Sequence, residues 1–193
     1  RLSERRTAPS LYASGPMPYT SGMLGSLRIR ASSGARRFER LGPRIAEVRR
    51  DAERWSRASD ARLEAASAEL RDAADDDPPD ALGPRALPIA VEAGRRALRI
   101  DPHPEQIGAA LAMLEGDVVQ MRTGEGKTLA AALAAHAAAL GGRPVHVMTT
   151  SEYLAERDAA WMGPLLERLG MRARAVLGGT SLPQKRTAYA ADV

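Results

Sequence analysis

The chain has 193 residues, of which 44% are hydrophobic and 27% charged, and its net charge is +4. This is enough apolar material for a buried core, which excludes a wholly disordered chain. The absence of cysteine excludes disulfides, thiolate metal sites and cysteine nucleophiles, and it suits a reducing cytosol. The longest apolar run, Leu129 to Leu140, is shorter than the roughly 20 residues that span a bilayer.

Residues 1–34 are rich in Gly, Ser, Pro and Arg, which predicts a flexible leader. The first 50 residues contain eleven Arg and three Glu, a net charge of +8, so the remainder is acidic on balance. Such a basic arm is typical of a solvated tail or of a segment that contacts anionic lipid or nucleic acid. The chain starts without methionine and ends in mid-pattern at Ala191-Asp192-Val193, which indicates a piece of a larger protein.

Residues 35–100 are predicted to form an α-helical amino-terminal segment. Two helical stretches lie between Arg36 and Ala74, and the second begins at Ser59-Asp60, which are good capping residues. The consecutive prolines Pro78-Pro79 prevent its continuation. A third helix is expected from about Pro88 to Leu98.

From residue 101 onwards, strands and helices are predicted to alternate. Short apolar strands are expected at Val118-Val119, Val145 to Met148, Ala173 to Leu177 and Asp192-Val193. Helices are expected at Gln106 to Leu114, Lys127 to Leu140, Ser151 to about Trp161 and Leu182 to Ala190, with a break at Gly163-Pro164. Such alternation with short links implies an α/β fold, in which helices cover both faces of a parallel sheet.

The segment Thr123 to Thr128 lies between a predicted strand and a predicted helix, which is the context of a phosphate loop. Gly124 and Gly126 allow a tight turn close to an anion. Free amides at the start of the helix would then point at the phosphates of ATP. Lys127 would reach the β- and γ-phosphates, and the Thr128 hydroxyl would hold Mg²⁺.

Gln106 lies fifteen residues before Met121, in front of the predicted loop. Its amide can make two hydrogen bonds to the edge of adenine, and its position favours this role over that of a polar surface residue. Lys127 and Thr128 are the candidate catalytic residues. The histidines lack metal-ligand spacing, so the only metal expected is Mg²⁺ bound with nucleotide. The predicted nucleotide-binding residues are Gln106, Gly124, Glu125, Gly126, Lys127 and Thr128.

Met121 replaces the first glycine of the general pattern GxxxxGK[ST], and the tighter form TGxGKT is typical of helicase-like motor ATPases. Further segments resemble the SecA family of preprotein translocase ATPases, namely Gln106 to Ala109, Glu115 to Val119, Val145 to Asp158, Ala160 to Leu165 and Arg186 to Val193. The resemblance begins near residue 58 and is most specific over residues 102–193. The arginine-rich style is closest to the accessory, second SecA of high-GC Gram-positive bacteria.

The resemblance implies a RecA-like, P-loop NTPase fold, with residues 101–193 as the first part of nucleotide-binding domain 1. It implies a protein-secreting ATPase that couples ATP hydrolysis to preprotein export through a SecYEG-type translocon. Such a protein is cytoplasmic and peripheral on the inner face of the cell membrane, with anionic lipid as a partner, a homodimer allowed and no specific nucleic acid bound. The family also needs an acidic box and a second lobe beyond Val193, so this chain alone should bind nucleotide weakly and hydrolyse almost none.

The sequence departs from the family at two further places. Ser151-Glu152 replaces Asn-Asp, and Pro104-Glu105 replaces an aromatic residue followed by Asp-Val. An aromatic residue that could pack on the base is therefore missing, and His103 or Arg99 would have to substitute for it in part.

Several alternatives remain open. Arg157 and Asp158 are either a surface that couples substrate to the nucleotide site or a helix ion pair. A DEAD-box-like RNA helicase shares the loop and the fold, although residues 102–193 lack a basic stripe with interleaved aromatics. A non-catalytic interaction module with a vestigial loop is the third function. Trp161, Met162 and Leu165 are expected in the core.

Overall fold

The computed structural model of the chain describes residues 33–74 and 77–193. All but the end of the predicted leader lies outside the described residues. Within them the chain forms seven helices: α1 Ser33–Trp55, α2 Asp60–Asp72, α3 Pro79–Leu98, α4 Pro104–Leu114, α5 Lys127–Ala139, α6 Glu152–Glu167 and α7 Leu182–Tyr189. No helix in this part of the chain is long and apolar enough to cross a membrane.

The first two predicted helices are confirmed, and the start of α2 follows from its capping residue. The Ser59 hydroxyl accepts a hydrogen bond from the Arg62 amide at 3.2 Å. This bond satisfies one of the N–H groups that lack a partner at the start of a helix. Leu63 and Ala66 lie on the buried face of α2, at the predicted three-residue spacing.

The third helix, α3, is longer than predicted and lies at the centre of the fold. It begins at Pro79, where a proline costs no hydrogen bond because first-turn amides have no helical partner. It then continues through Pro84 and Pro88. A proline inside a helix costs about 3 kcal/mol, whereas each buried large apolar side chain contributes about 1.5–3 kcal/mol. Eleven residues of α3 are buried, so burial outweighs the cost of the two prolines.

The apolar core is continuous across residue 100. Helix α3 packs against α1, α2, α4, α5 and α6, and all six helices contribute buried side chains to one cluster. Gly108 allows α4 to approach α1 closely, because a Cβ there would lie 2.6 Å from Cε2 of Phe38 and 2.9 Å from Cδ1 of Ile45. The helices before and after residue 100 therefore share their buried surface.

An ion-pair cluster joins α2 to α3 and to the end of α6. The Asp60 carboxylate accepts a hydrogen bond from Arg96 Nη1 at 2.8 Å and another from Arg168. These hydrogen bonds, first that of Arg96 and then that of Arg168, lower the pKa of Asp60 below its ordinary value. The cluster holds the carboxyl-terminal end of α6 against the helical core.

Helix α6 runs without interruption to Glu167, so the predicted break at Gly163-Pro164 is wrong. Met162 and Leu165 are buried, as predicted, and Trp161 packs against the core while remaining partly exposed. Burial of this face outweighs the backbone hydrogen bond that Pro164 cannot donate.

Replacement of Gly163 by alanine is expected to stabilise the protein by at most about 0.5 kcal/mol, because the smaller loss of backbone entropy is partly offset by crowding of the new Cβ against the ring of Pro164. Apart from its chain neighbours, a Cβ at this position meets nothing within 4 Å, so the change introduces no clash with the packed helices. The midpoint of urea unfolding of Gly163→Ala measures the effect. A lower midpoint would contradict the expectation.

The predicted parallel sheet is not confirmed, because no described residue belongs to a strand. Parts of three predicted strands nevertheless meet. Val193 donates its N–H to the Arg172 carbonyl at 3.1 Å and accepts from the Arg174 amide at 3.0 Å, which is the bonding of a parallel pair. On the other side, Val145 donates to the Asp192 carbonyl at 2.9 Å. The middle segment contributes only two residues, which are too few for a ladder.

The remaining predicted strand, Val118-Val119, makes no backbone hydrogen bond to these segments within the described residues. Val118 is also 87% exposed. A strand needs partners that are distant in sequence, so its local pattern alone does not form it.

Candidate functional site

The predicted phosphate loop is an exposed turn that leads into α5. Gly124 and Gly126 have φ values of +87° and +80°, which glycine adopts without the steric cost of a Cβ. Gly126 is the residue before the first turn of α5, and Lys127 and Thr128 begin that turn. The two glycines therefore make the tight turns that the sequence predicted.

Several backbone amides are open at this turn. Within the described residues, the N–H groups of Gly124, Gly126, Lys127 and Thr128 donate no hydrogen bond. The first amides of a helix lack partners within it, and the helix dipole places partial positive charge there. A Cβ at Gly124 would meet nothing within 4 Å, so the space beside the loop is open. This arrangement suits an anion such as phosphate.

The Lys127 ammonium lies on the loop itself. Its Nζ donates to the carbonyl oxygens of Met121 at 2.9 Å and Arg122 at 2.7 Å. Among the described residues, no acidic side chain pairs with this ammonium. Its charge is therefore available to an anion once the two carbonyl contacts are released. The Thr128 hydroxyl, one residue further on, is half-buried in the first turn of α5.

Gln106 is 7% exposed and lies against the loop. Its Nε2 donates to the Glu125 carbonyl at 3.0 Å, and its Oε1 accepts from the His103 amide at 2.9 Å. The second contact is half of a capping box at the start of α4, and a glutamine three residues after the N-cap was its sequence signal. One Nε2 hydrogen and one Oε1 lone pair remain for a ligand. The sequence predicted that Gln106 lies near the loop, but the link through Glu125 was missed.

Glu125 closes a small ring within the loop. Its Oε2 accepts from the Arg122 amide at 2.5 Å, and its own amide donates to the Arg122 carbonyl at 3.3 Å. No sequence signal pointed to this carboxylate contact. It depends on the exact course of the turn between the two residues.

Two other groups of predicted residues make no side-chain contact with the loop among the described residues. Arg99 and His103, suggested as partial substitutes beside the base, are exposed at the turn between α3 and α4. Arg157 donates from Nε and Nη2 to Asp158 Oδ1, at 2.9 and 2.6 Å. This is the ion-pair alternative for these two residues, and such a surface pair adds only tenths of a kcal/mol.

The described part of the chain contains a cavity of about 550 Å³. It is bounded by the extended segments 145–150 and 173–178 together with α6 and α7, and no residue of the loop lines it. His146 and Tyr189 meet at its edge with ring centroids 5.3 Å apart. Two of the segments predicted as strands, Val145 to Met148 and Ala173 to Leu177, contribute to its lining.

His136 is fully buried on α5, nine residues after Lys127. Its Nε2 lies 3.0 Å from the Ser67 hydroxyl, while its Nδ1 has no hydrogen-bond partner among the described residues. Burial lowers the pKa of His136 to about 3, and the positive charge of Arg71 adds to this effect. The side chain is therefore neutral at pH 7, and it anchors α5 to α2.

Comparison with known proteins identifies the family to which the chain belongs. Residues 27–193 match the family model described as the SecA DEAD-like domain. This match defines the class as a DEAD-like domain, which implies a RecA-like fold. Because the match covers most of the chain, the chain belongs to the SecA family.

Three similar proteins show where the chain stands within the family. The chain is 43% identical over 165 residues to "Protein translocase subunit SecA 2" of Mycobacterium sp. (strain KMS), which covers 83% of this chain and 21% of the relative. It is 53% identical over 107 residues to the protein of the same name in Mycolicibacterium smegmatis, covering 55% of this chain and 14% of the relative. It is 51% identical over 110 residues to "Protein translocase subunit SecA" of Mycobacterium avium, covering 57% and 14%.

The resemblance to the second SecA is thereby confirmed at the level of the family and its mycobacterial members. The chain spans about a fifth of the length of the first of these relatives.

Proposed function

We propose that this chain is the ATP-binding part of a protein-translocating motor ATPase. In the complete protein, ATP hydrolysis would drive preprotein export through a SecYEG-type translocon. Membership of the SecA family supports this proposal, as do the relatives named as protein translocase subunits. The phosphate loop is a Walker A motif in this reading.

The observation that carries the proposal is the group of open amides beside an ammonium that has no acidic partner among the described residues. Gly124, Gly126, Lys127 and Thr128 offer N–H groups that have no acceptor within the described residues, and the space next to Gly124 is open. A lysine at the same turn supplies a full positive charge. Phosphate oxygens are the ligands that such a turn binds best.

Each predicted site residue then has a role. Lys127 would leave its two carbonyl contacts and bind the β- and γ-phosphates, while the Gly124 to Gly126 backbone would surround the phosphates. The Thr128 hydroxyl would hold Mg²⁺, which screens the phosphate charge. Gln106 would use its remaining hydrogen-bonding capacity for the adenine edge.

The wider features of the proposal follow the family. Residues 101–193 would form the first part of a RecA-like α/β domain with a parallel sheet, preceded by the helical segment of residues 35–100. The complete protein would act at the cytoplasmic face of the membrane. Its partners would be preproteins, the translocon and anionic lipid, and a homodimer is allowed.

A titration of the chain with Mg²⁺ and ATP, followed by calorimetry, tests the proposal. We expect weak binding, an affinity at least about tenfold lower in Lys127→Ala, and almost no steady-state hydrolysis by either protein. Lys185→Ala is the matched control, because it removes the other lysine of the chain and should leave binding unchanged. Equal affinities of wild type and Lys127→Ala would leave the loop without a role and would refute the proposal.

A further inference from the structure

Two charged side chains of the loop bind the same residue. The Glu125 carboxylate accepts from the Arg122 N–H at 2.5 Å, and the Lys127 ammonium donates to the Arg122 carbonyl at 2.7 Å. The Glu125 amide donates to that carbonyl as well, at 3.3 Å. Arg122 is thus held through both its N–H and its C=O by groups three and five residues further along the chain.

The backbone of Glu125 is fixed from outside the loop. Gln106, buried on α4, donates its Nε2 hydrogen to the Glu125 carbonyl at 3.0 Å. Since this contact and the positive φ of the glycines on either side define the turn, the carboxylate is directed back toward Arg122. Hydrogen bonds that involve an ionised group are stronger than neutral ones, so this contact closes the turn firmly.

The carboxylate is also a negative charge within a turn whose open amides suit an anion. A phosphate group would approach the same turn and would meet like charge at Glu125. The contact that closes the turn is therefore in competition with the ligand that the turn is built to bind.

We propose that Glu125 regulates entry to the nucleotide site. Its hydrogen bond to the Arg122 N–H, here called the Glu125 clasp, keeps a negative charge beside the open amides of the loop, and phosphates bind there after the clasp opens. This inference rests on the proposed function, because it requires a phosphate ligand at the loop. It assigns to Glu125 a role opposite to that of an ordinary binding residue, since its removal improves binding.

The test measures association of a fluorescent ADP analogue with Mg²⁺ by stopped-flow and at equilibrium, using the 193-residue chain. Glu125→Ala removes the clasp, so the association rate and the affinity are expected to rise about three- to tenfold. Glu125→Gln retains an oxygen that can accept from Arg122 but loses the charge. Its association rate and affinity are therefore expected to lie between those of wild type and Glu125→Ala.

Glu105→Gln is the matched control. It removes one negative charge next to Gln106 on α4, and Glu105 forms no ion pair among the described residues. An equal gain in Glu105→Gln would assign the effect to overall charge and would overturn the clasp, as would an unchanged or weaker affinity in Glu125→Ala. Faster hydrogen exchange of the Arg122 amide in Glu125→Ala, measured without nucleotide, is the expected structural signature, and unchanged exchange would overturn the clasp.

A different comparison, between wild type and Lys127→Ala, would reveal the failure of the proposed function. If wild type and Lys127→Ala bind the ADP analogue equally, the loop is not a nucleotide site and the proposed function falls. If Lys127→Ala binds more weakly but Glu125→Ala gains nothing, the nucleotide site stands and the clasp alone is overturned.

Discussion

A decrease in pH from 7 to 5 is expected to lower the free energy of unfolding by about 2 kcal/mol through one buried side chain, His136. The pKa of this imidazole is about 3 in the folded protein, compared with an ordinary value of 6.5. The folded state therefore excludes a proton that the unfolded chain binds. The stabilisation is complete above pH 6.5 and is lost at about 1.4 kcal/mol per pH unit as the pH falls toward 3.

Urea unfolding followed by circular dichroism at pH 7, 6 and 5 measures this slope. His136→Gln removes the titrating group, so it should reduce the pH dependence even though it lowers stability at pH 7. His146→Gln is the matched control, because it makes the same change at an exposed histidine and leaves His136 in place. Asp60 does not interfere, since its pKa is lowered from 3.8 and it titrates below this window. An unchanged slope in His136→Gln would contradict the assignment.

His136 also shows why burial on α5 matters to the candidate site. The helix that begins at Lys127 is buried along most of its length, and its contacts with α3, α4 and α6 fix its direction. His136 adds a hydrogen-bonded contact with Ser67 of α2. The first turn of α5 is therefore held by packing that lies far from the loop, and a charge introduced at His136 would disturb that packing.

Helix positions could be predicted wherever a local signal decides them. The cap at Ser59 and the glycine at Gly126 fix helix starts through backbone groups only a few residues away. The start of α3 and the continuity of α6 were missed for a common reason. Pro84, Pro88 and Pro164 have an unfavourable local preference, but burial against other helices outweighs it, and that burial depends on residues distant in sequence.

The same distinction between local signals and conformation-dependent contacts applies to the candidate site. The positive φ of Gly124 and Gly126 and the closeness of Gln106 to the loop follow from residue types and spacing. The contacts of Glu125 and Lys127 with Arg122 do not, because they depend on side-chain conformations within an exposed turn. The strands predicted from the pattern are not confirmed, because their pairing requires partners distant in sequence and the segment Asp192-Val193 supplies only a few backbone hydrogen bonds.

Replacement of Gly126 by alanine is expected to lower the free energy of unfolding by about 2–3 kcal/mol. A residue with a Cβ pays about 1–2 kcal/mol for a left-handed conformation, and Gly126 has a φ of +80°. The new Cβ would also lie 2.2 Å from Gln106 Nε2, so the glutamine must move. Its hydrogen bond to the Glu125 carbonyl is then lost, at a cost of about 1 kcal/mol.

Gly124→Ala separates these two effects, since Gly124 has a φ of +87° but its Cβ would meet nothing within 4 Å. Its expected cost is the conformational part alone, about 1–2 kcal/mol. A double-mutant cycle with Gln106→Ala measures the remainder, because Gly126→Ala should cost about 1 kcal/mol less once the glutamine side chain is absent. Additive costs in the cycle would show that Gly126 does not act through Gln106. A coupling of the expected size would establish that this glycine is needed for the contact between α4 and the loop as well as for the turn.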